Sequence, residues 1–129
     1  DLTPFLLMML KMIYIALKDL ESSLAHRLTS WHKYETLVSS FSSIRDDDTR
    51  EMYSYLIQAA LFSEKGISTA ELKNQFNKSY YSVKKLLDKI PEDLLMVRKD
   101  GKSKYYQINL SILDDMLLSN ATQNNSENN

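Results

Sequence analysis

Hydrophobic residues at the start of the chain follow the spacing of a long helix. Seven of them are separated by three or four positions, close to the a and d positions of a coiled coil. Thr3 followed by Pro4 is a typical helix start. Between Phe5 and Leu17 further apolar residues occupy almost every face, so this helix must be buried on several sides. The seven regularly spaced residues are Leu6, Leu10, Ile13, Leu17, Leu20, Leu24 and Leu28.

A small domain offers few neighbours for such a helix. We therefore expect its hydrophobic seam to pair with the same seam of a second copy. A central core helix of a monomer is the alternative. The residues predicted to form the dimer interface are Leu6, Leu10, Ile13, Leu17, Leu20 and Leu24.

A second helix is predicted over residues 30–44, which carry one apolar stripe and end at three consecutive aspartates. Asp48 and Glu51 have the spacing of a capping box, so a third helix is expected to begin there and to end near Gly66. On this basis residues 1–47 form an N-terminal helical dimerisation region, and a separate domain covers residues 48–118.

The remaining pattern predicts short elements in quick succession. Ile67 is a very short strand, and Ser68 with Glu71 is a second capping box that opens a short helix. After a turn at residues 77–79, a further helix places apolar residues inward at helical spacing. These inward residues are Tyr80, Val83, Leu86, Leu87 and Ile90.

A β-hairpin is expected next, because Asp100-Gly101 separates two strand-like segments, residues 94–99 and 102–109. A short helix from Ser111 to Leu117 closes the domain. The Asn- and Ser-rich residues 119–129 are expected to form a disordered tail.

Composition excludes most catalytic chemistry. The 129 residues include no cysteine, two histidines and two glycines, so thiol, His-rich metal and glycine-rich phosphate-loop sites cannot be built. We expect no enzyme activity, no cofactor and no metal. The apolar N-terminal segment is short for a membrane span and has Lys11 in its middle, so we expect no membrane partner. We also expect an intracellular protein, cytoplasmic or in the nucleoid or nucleus.

Charge is unevenly distributed, although the whole chain carries only −1. Residues 65–106 contain ten basic and five acidic side chains, a net +5, and the rest of the chain carries −6. A polyanion would therefore meet one positive region.

Helix, tiny strand, helix, turn, helix and basic hairpin is the layout of a winged helix-turn-helix module. The chain resembles the winged-helix DNA-binding domains of small dimeric transcriptional regulators of the MarR and ArsR types. The resemblance covers about 60 residues. It is carried by segments 67–72 and 97–106 and by Phe76, Tyr80, Val83, Leu87 and Ile90.

The resemblance implies a mainly α fold with a small β-hairpin wing, preceded by two N-terminal helices that form the dimerisation element. It also implies a recognition helix over residues 79–90 and a basic wing over residues 98–104, both contacting double-stranded DNA. The residues expected to bind DNA are Lys78, Ser79, Tyr81, Ser82, Lys84, Lys85, Lys89, Arg98, Lys99, Lys102 and Lys104.

The resulting hypothesis is a homodimeric transcriptional regulator that binds double-stranded DNA. Two alternatives remain open at this point. One is a winged-helix module that binds another protein, and the other is a DNA-binding factor of replication or plasmid maintenance. The sequence points to no small-molecule effector.

Overall fold

The computed structural model describes residues 1–127, with side chains through Thr122. The chain is mainly helical and has one small antiparallel sheet of three strands. Among the described residues, no helix is both long enough and apolar enough to cross a membrane. The elements in chain order are α1 (Thr3–Ser39), α2 (Asp47–Phe62), β1 (Ile67–Ser68), α3 (Thr69–Phe76), α4 (Tyr80–Asp88), β2 (Leu95–Asp100), β3 (Ser103–Ile108) and α5 (Leu110–Glu127).

A single helix, α1, replaces the two N-terminal helices that the sequence predicts. No Gly or Pro lies near the expected break, and the Thr29 hydroxyl donates to the Ala25 carbonyl oxygen at 3.0 Å within the helix. The prediction of a separate second helix is therefore wrong. The continuous helix α1 ends at Ser39, before the predicted end at residue 44. Thr3 does not cap α1; its own backbone N–H donates to the Asp1 carboxylate at 3.1 Å.

One hydrophobic core joins the end of α1 to the elements that follow it. Tyr34, Leu37 and Val38 from the last turns of α1 pack with side chains of α2, α3, α4, β3 and α5. Core residues therefore lie on both sides of position 47, where the sequence suggests a domain boundary. Every residue from position 1 to position 29 is exposed, and the residues of α1 that face the core all follow them, from Ser30 onward.

The sheet has the strand order β1-β3-β2, with Ile67 opposite Tyr106 and Leu95 opposite Ile108. Asp100 pairs with Ser103, so the hairpin turn is Gly101-Lys102, one residue later than predicted. Gly101 has a φ of +64°, which suits the first central position of a two-residue hairpin turn.

The helix α5 is longer than predicted. It continues to Glu127 and so covers most of the segment expected to be a disordered tail, whereas Asn128 and Asn129 lie outside the described residues. Leu113 is fully buried and anchors the first turns of α5, and extending an existing helix is far easier than starting one. The Tyr34 hydroxyl also donates to Asp114 at 2.6 Å, which links α1 to α5.

Candidate nucleic-acid interface

Two serine caps position the helix pair α3 and α4. The Ser68 hydroxyl accepts from the Glu71 backbone N–H at 3.1 Å, as the predicted capping box requires. Asn77 ends α3 in the left-handed conformation, with a φ of +53°. The Ser79 hydroxyl then caps α4 by accepting from the Ser82 backbone N–H at 3.3 Å. The chain therefore turns sharply between the two helices, and the start of α4 is fixed.

The helix α4 has one buried and one exposed face. Val83, Leu86 and Leu87 pack in the core, so the opposite side of the helix faces solvent. Tyr81 is 67% exposed, and the Lys85 ammonium lies 4.6 Å from the centre of its ring. This cation–π contact holds the Lys85 charge against the aromatic ring on the solvent side.

Tyr80 does not point inward, which corrects the sequence prediction. It is 51% exposed, because it is the first residue of α4 and lies one turn before Val83, where the helix first reaches the core. Asp88 also lies on the exposed side of α4, and the sequence interpretation did not single it out. An acidic side chain here reduces the positive charge of the exposed face.

Two of the lysines predicted to bind DNA form ion pairs with acidic residues at the start of α2. Lys78 forms an ion pair with Asp48, and the Lys89 ammonium lies 3.7 Å from the Asp46 carboxylate. Both contacts join residues that are more than 25 positions apart in the chain, so the spacing along the sequence gave no sign of them. These ion pairs connect residues on either side of α4 with the start of α2.

Asp46, rather than Asp48, caps α2, which corrects the predicted capping box. Its carboxylate accepts from the Thr49 hydroxyl at 2.7 Å and from the Thr49 backbone N–H at 3.3 Å. The hydrogen bond from the Thr49 side chain, followed by the charge of Lys89, lowers the pKa of Asp46 below its usual value. The N-cap is therefore a carboxylate that stays charged at neutral pH, and a negative charge there also suits the helix dipole.

The hairpin carries lysines at and beside its turn. Lys102 is in the turn, and Lys99 lies directly opposite Lys104 in the register of β2 and β3. Like charges placed directly opposite each other in an antiparallel pair repel. The hairpin tip is therefore a concentrated patch of positive charge.

Arg98 lies on the other face of the hairpin, because side chains alternate along a strand. Its guanidinium donates to the Glu64 carbonyl oxygen at 3.3 Å, while Lys65 pairs with Asp100 at 2.9 Å. This ion pair raises the pKa of Lys65 and lowers that of Asp100. Arg98 is thus directed toward the loop before β1 rather than toward the lysines of the tip.

A cleft of about 390 Å³ lies between the start of α3, the start of α4 and the hairpin. Lys73, Lys102 and Lys104 line this cleft together with the aromatic residue Tyr80. The sequence interpretation missed Lys73 and Tyr80 as site residues. The excess of lysine over residues 65–106 was the only signal that pointed to Lys73. The lining residues are Ser68, Thr69, Ala70, Lys73, Tyr80, Lys102, Ser103, Lys104 and Tyr105.

The predicted site residues fall into two groups. Tyr81, Lys84 and Lys85 are exposed on α4, and Lys99, Lys102 and Lys104 are exposed on the hairpin. The others are engaged within the protein: Lys78 and Lys89 in ion pairs, Ser79 and Ser82 with each other at 3.1 Å, and Arg98 with a carbonyl group. The residues predicted to form the dimer all lie on the exposed part of α1.

The exposed groups of this surface are ammonium ions, hydroxyls and tyrosine rings. Ammonium ions and hydroxyls can neutralise and hydrogen-bond an extended anion, and rings can stack on flat groups. Among the described residues, no cluster of three or more His, Asp or Glu side chains could hold a metal ion. Comparisons of this chain with protein-family models, with curated proteins and with solved structures found no match.

Proposed function

We propose that this protein binds double-stranded DNA as a homodimer and acts as a winged-helix transcriptional regulator. In this proposal α3 and α4 form the helix-turn-helix, α4 is the recognition helix, and β2 with β3 is the wing. The element order from α2 to β3 and the strand order β1-β3-β2 are compatible with this fold.

The observation that carries the proposal is the position of the lysines that form no ion pair within the described part of the chain. Lys84 and Lys85 are exposed on α4, while Lys73, Lys102 and Lys104 line the cleft between the helix pair and the hairpin. The helix pair and the hairpin flank one cleft, so lysines of both can contact phosphates of the same duplex. Each phosphate that they neutralise releases counterions and so favours binding.

The chemistry of α4 favours contacts to the DNA backbone over contacts to bases. Its exposed side chains are Tyr80, Tyr81, Lys84, Lys85 and Asp88, and none of them is an Arg, Asn or Gln that could contact one base through two hydrogen bonds. Lys85 can still reach the O6 and N7 atoms of guanine in the major groove. We therefore expect a modest preference for sequence above strong general binding to duplex DNA.

The exposed seam of α1 supports the homodimer. All six residues predicted for the interface, between Leu6 and Leu24, are more than two-fifths exposed. A continuous exposed seam of this kind is typical of a surface that another chain covers. Pairing of two seams would place two copies of α4 in one particle, as binding to two half-sites about 34 Å apart requires.

Fluorescence anisotropy with a random-sequence duplex tests the proposal. The double variant Lys85→Ala and Lys104→Ala removes one lysine from each element, and we expect it to weaken binding at least tenfold at low salt. Lys11→Ala combined with Arg27→Ala, which removes two positive charges from the exposed residues of α1, is the control and should bind like the wild type. Equal affinity of wild type and double variant would refute the proposed surface, and absence of binding by the wild type would favour a protein partner.

A further inference from the structure

Residues 1–29, which are α1 up to Thr29 and the two residues before it, are here called the arm. Every residue of the arm is exposed, and its helical portion is about 40 Å long at 1.5 Å per residue. The core begins only with the side chains that follow it, such as Tyr34. Within one chain, therefore, the arm has no packing partner among the described residues.

The half of the arm nearest the core is apolar on one side only. Over residues 18–29, the large apolar side chains are Leu20, Leu24 and Leu28, which lie on one stripe. Charged residues, small residues and His26 occupy the other sides of this half. A single partner helix is enough to cover such a stripe.

The outer half, residues 5–17, is apolar on all sides. Seven large side chains lie off the stripe and are between 42% and 63% exposed. Two paired helices would cover the stripe and leave most of this surface in water on both chains, as a contiguous patch of a kind that marks an interaction site. The seven residues are Phe5, Leu7, Met8, Met9, Met12, Tyr14 and Ile15.

We infer that two dimers join through the outer halves of their arms and form a tetramer, an inference that rests on the proposed homodimer. Residues 5–17 of one dimer lie antiparallel to the same residues of the second dimer, so four helices surround one another in this segment. The overlap ends at residue 17, beyond which the helix is apolar on one side only. Residues 18–29 then remain two-stranded, as their one-sided stripe requires.

An antiparallel arrangement fits this pattern better than a parallel one. Four parallel arms would bring the inner halves together as well, where Asp19 and Glu21 of neighbouring dimers would lie close to each other. Carboxylates of like charge at short distance repel. The antiparallel overlap of residues 5–17 places Asp19 and Glu21 of one dimer far from those of the other and beside residues 1–4, of which only Asp1 has a charged side chain.

The charge of the arm favours another copy of the chain over an anionic lipid surface. Lys11, Lys18 and Arg27 balance Asp1, Asp19 and Glu21, so the arm has no net charge and gains no electrostatic attraction to acidic lipids. Lys11 and Lys18 are seven residues apart and lie on one face. Their long side chains can pass along the apolar surface and keep both ammonium groups in water at the outside of the four-helix segment.

The tetramer has a consequence for DNA. The four-helix segment is about 20 Å long, and the two-stranded segments on either side add about 18 Å each. The DNA-binding parts of the two dimers would lie at opposite ends, about 55 Å apart along the arms. One tetramer could therefore hold two duplex segments at once.

Sedimentation velocity of the full chain over a hundredfold range of concentration tests the inference. We expect a species of four times the 15.0 kDa chain mass for the wild type. Ile15→Glu places a charge off the stripe in the outer half and should give twice the chain mass. Ser22→Glu is the matched control, since Ser22 lies seven residues further along on the same helix face, and it should remain tetrameric. Leu17→Glu disrupts the stripe itself and should give monomers.

The outcomes separate the two claims. A wild type that keeps twice the chain mass at every concentration overturns the tetramer and leaves the homodimer. An Ile15→Glu variant that stays tetrameric overturns the assignment of the contact between dimers to residues 5–17. A monomeric wild type overturns both. Flotation of the wild type with phosphatidylcholine vesicles, together with loss of flotation in Ile15→Glu, would assign the outer half to a membrane surface instead. Circular dichroism verifies that each variant keeps its fold, since the arm lies outside the core.

Discussion

Lys99 and Lys104 lie directly opposite each other across the hairpin, each the other's cross-strand partner. Like charges in this position cost a hairpin stability, and a bound phosphate would offset the repulsion. Removing one charge of this pair should therefore raise the stability of the free protein and lower its affinity for a polyanion.

Lys104→Gln should make the protein more stable and its DNA binding weaker. Removing one of the two facing charges stabilises the fold by about 0.2–1 kcal/mol, and losing one phosphate contact reduces the salt slope of binding by about 1. Urea denaturation and anisotropy measure the two effects. Lys84→Gln, which has no lysine opposite it, should weaken binding without a gain in stability. A Lys104→Gln variant that is both less stable and unchanged in binding would contradict this interpretation of the pair.

Asp88→Asn should strengthen binding to duplex DNA several-fold at low salt. The Asp88 carboxylate is exposed on α4 beside Lys84 and Lys85 and repels phosphates, and a negative charge in the last turn of a helix is also unfavourable to the helix. Titration of a duplex by the variant and by Asp115→Asn, which removes the same charge from α5, measures the effect. If both variants bind equally well, the exposed face of α4 is not where the DNA lies.

Gly66→Ala should destabilise the protein strongly. Gly66 has a φ of +99°, and an added Cβ would lie 2.6 Å from the Tyr106 carbonyl oxygen, which belongs to the backbone of β3. Strain of this kind costs about 1–3 kcal/mol before the steric clash is added. Thermal unfolding gives the comparison with Gly101→Ala, whose Cβ would meet no atom within 4 Å. Similar melting temperatures for the two variants would mean that β1 does not approach β3 as closely as the structure indicates.

Stability should fall at high pH through Tyr34. Its burial, and then its hydrogen bond to Asp114, raise the pKa of Tyr34 to about 12 from an unfolded value of 10.0. Since the neutral phenol is favoured in the folded state, its contribution is complete below pH 10 and is lost as the pH rises toward 12. Tyr34→Phe removes this contribution, so the difference in melting temperature between wild type and variant should shrink between pH 9 and pH 11.5.

Burial also raises the pKa of Tyr53, so some alkaline destabilisation should remain in the Tyr34→Phe variant. The informative quantity is therefore the difference between the two proteins. A difference that stays constant across this pH range would show that the Tyr34 hydroxyl keeps an ordinary pKa.

The sequence predicted the elements whose signals are local. The spacing of Val83, Leu86 and Leu87 identified α4, and the Ser68 cap located the start of α3, because both signals lie within a few residues of the element. The prediction of two N-terminal helices was wrong because residues of moderate helix propensity, such as Thr29 and Ser30, do not break a helix when the segments on both sides favour helix strongly. The turn of the hairpin was displaced by one residue because pairing along the whole strands, rather than the Asp-Gly signal alone, sets the register.

The candidate site was predicted less completely than the fold. Basic residues could be counted from the sequence, but their partners could not, because the contacts of Lys78 with Asp48 and of Lys89 with Asp46 join distant segments. For the same reason the sequence did not show that the cleft brings Lys73 near Lys104. Long-range packing therefore decides which lysines remain available to a ligand.

The measurement that tests the central claim most directly is the affinity of the wild-type protein for a random-sequence duplex at several salt concentrations. If the exposed lysines of α4 and of the hairpin contact phosphates, the logarithm of the binding constant should fall linearly with the logarithm of the salt concentration, with a slope of about −0.9 for each phosphate neutralised. With three to five contacts per chain, we predict a slope of about −2.7 to −4.5 for each bound chain. Binding that does not change with salt, or no binding at low salt, would contradict the proposal that this surface binds DNA.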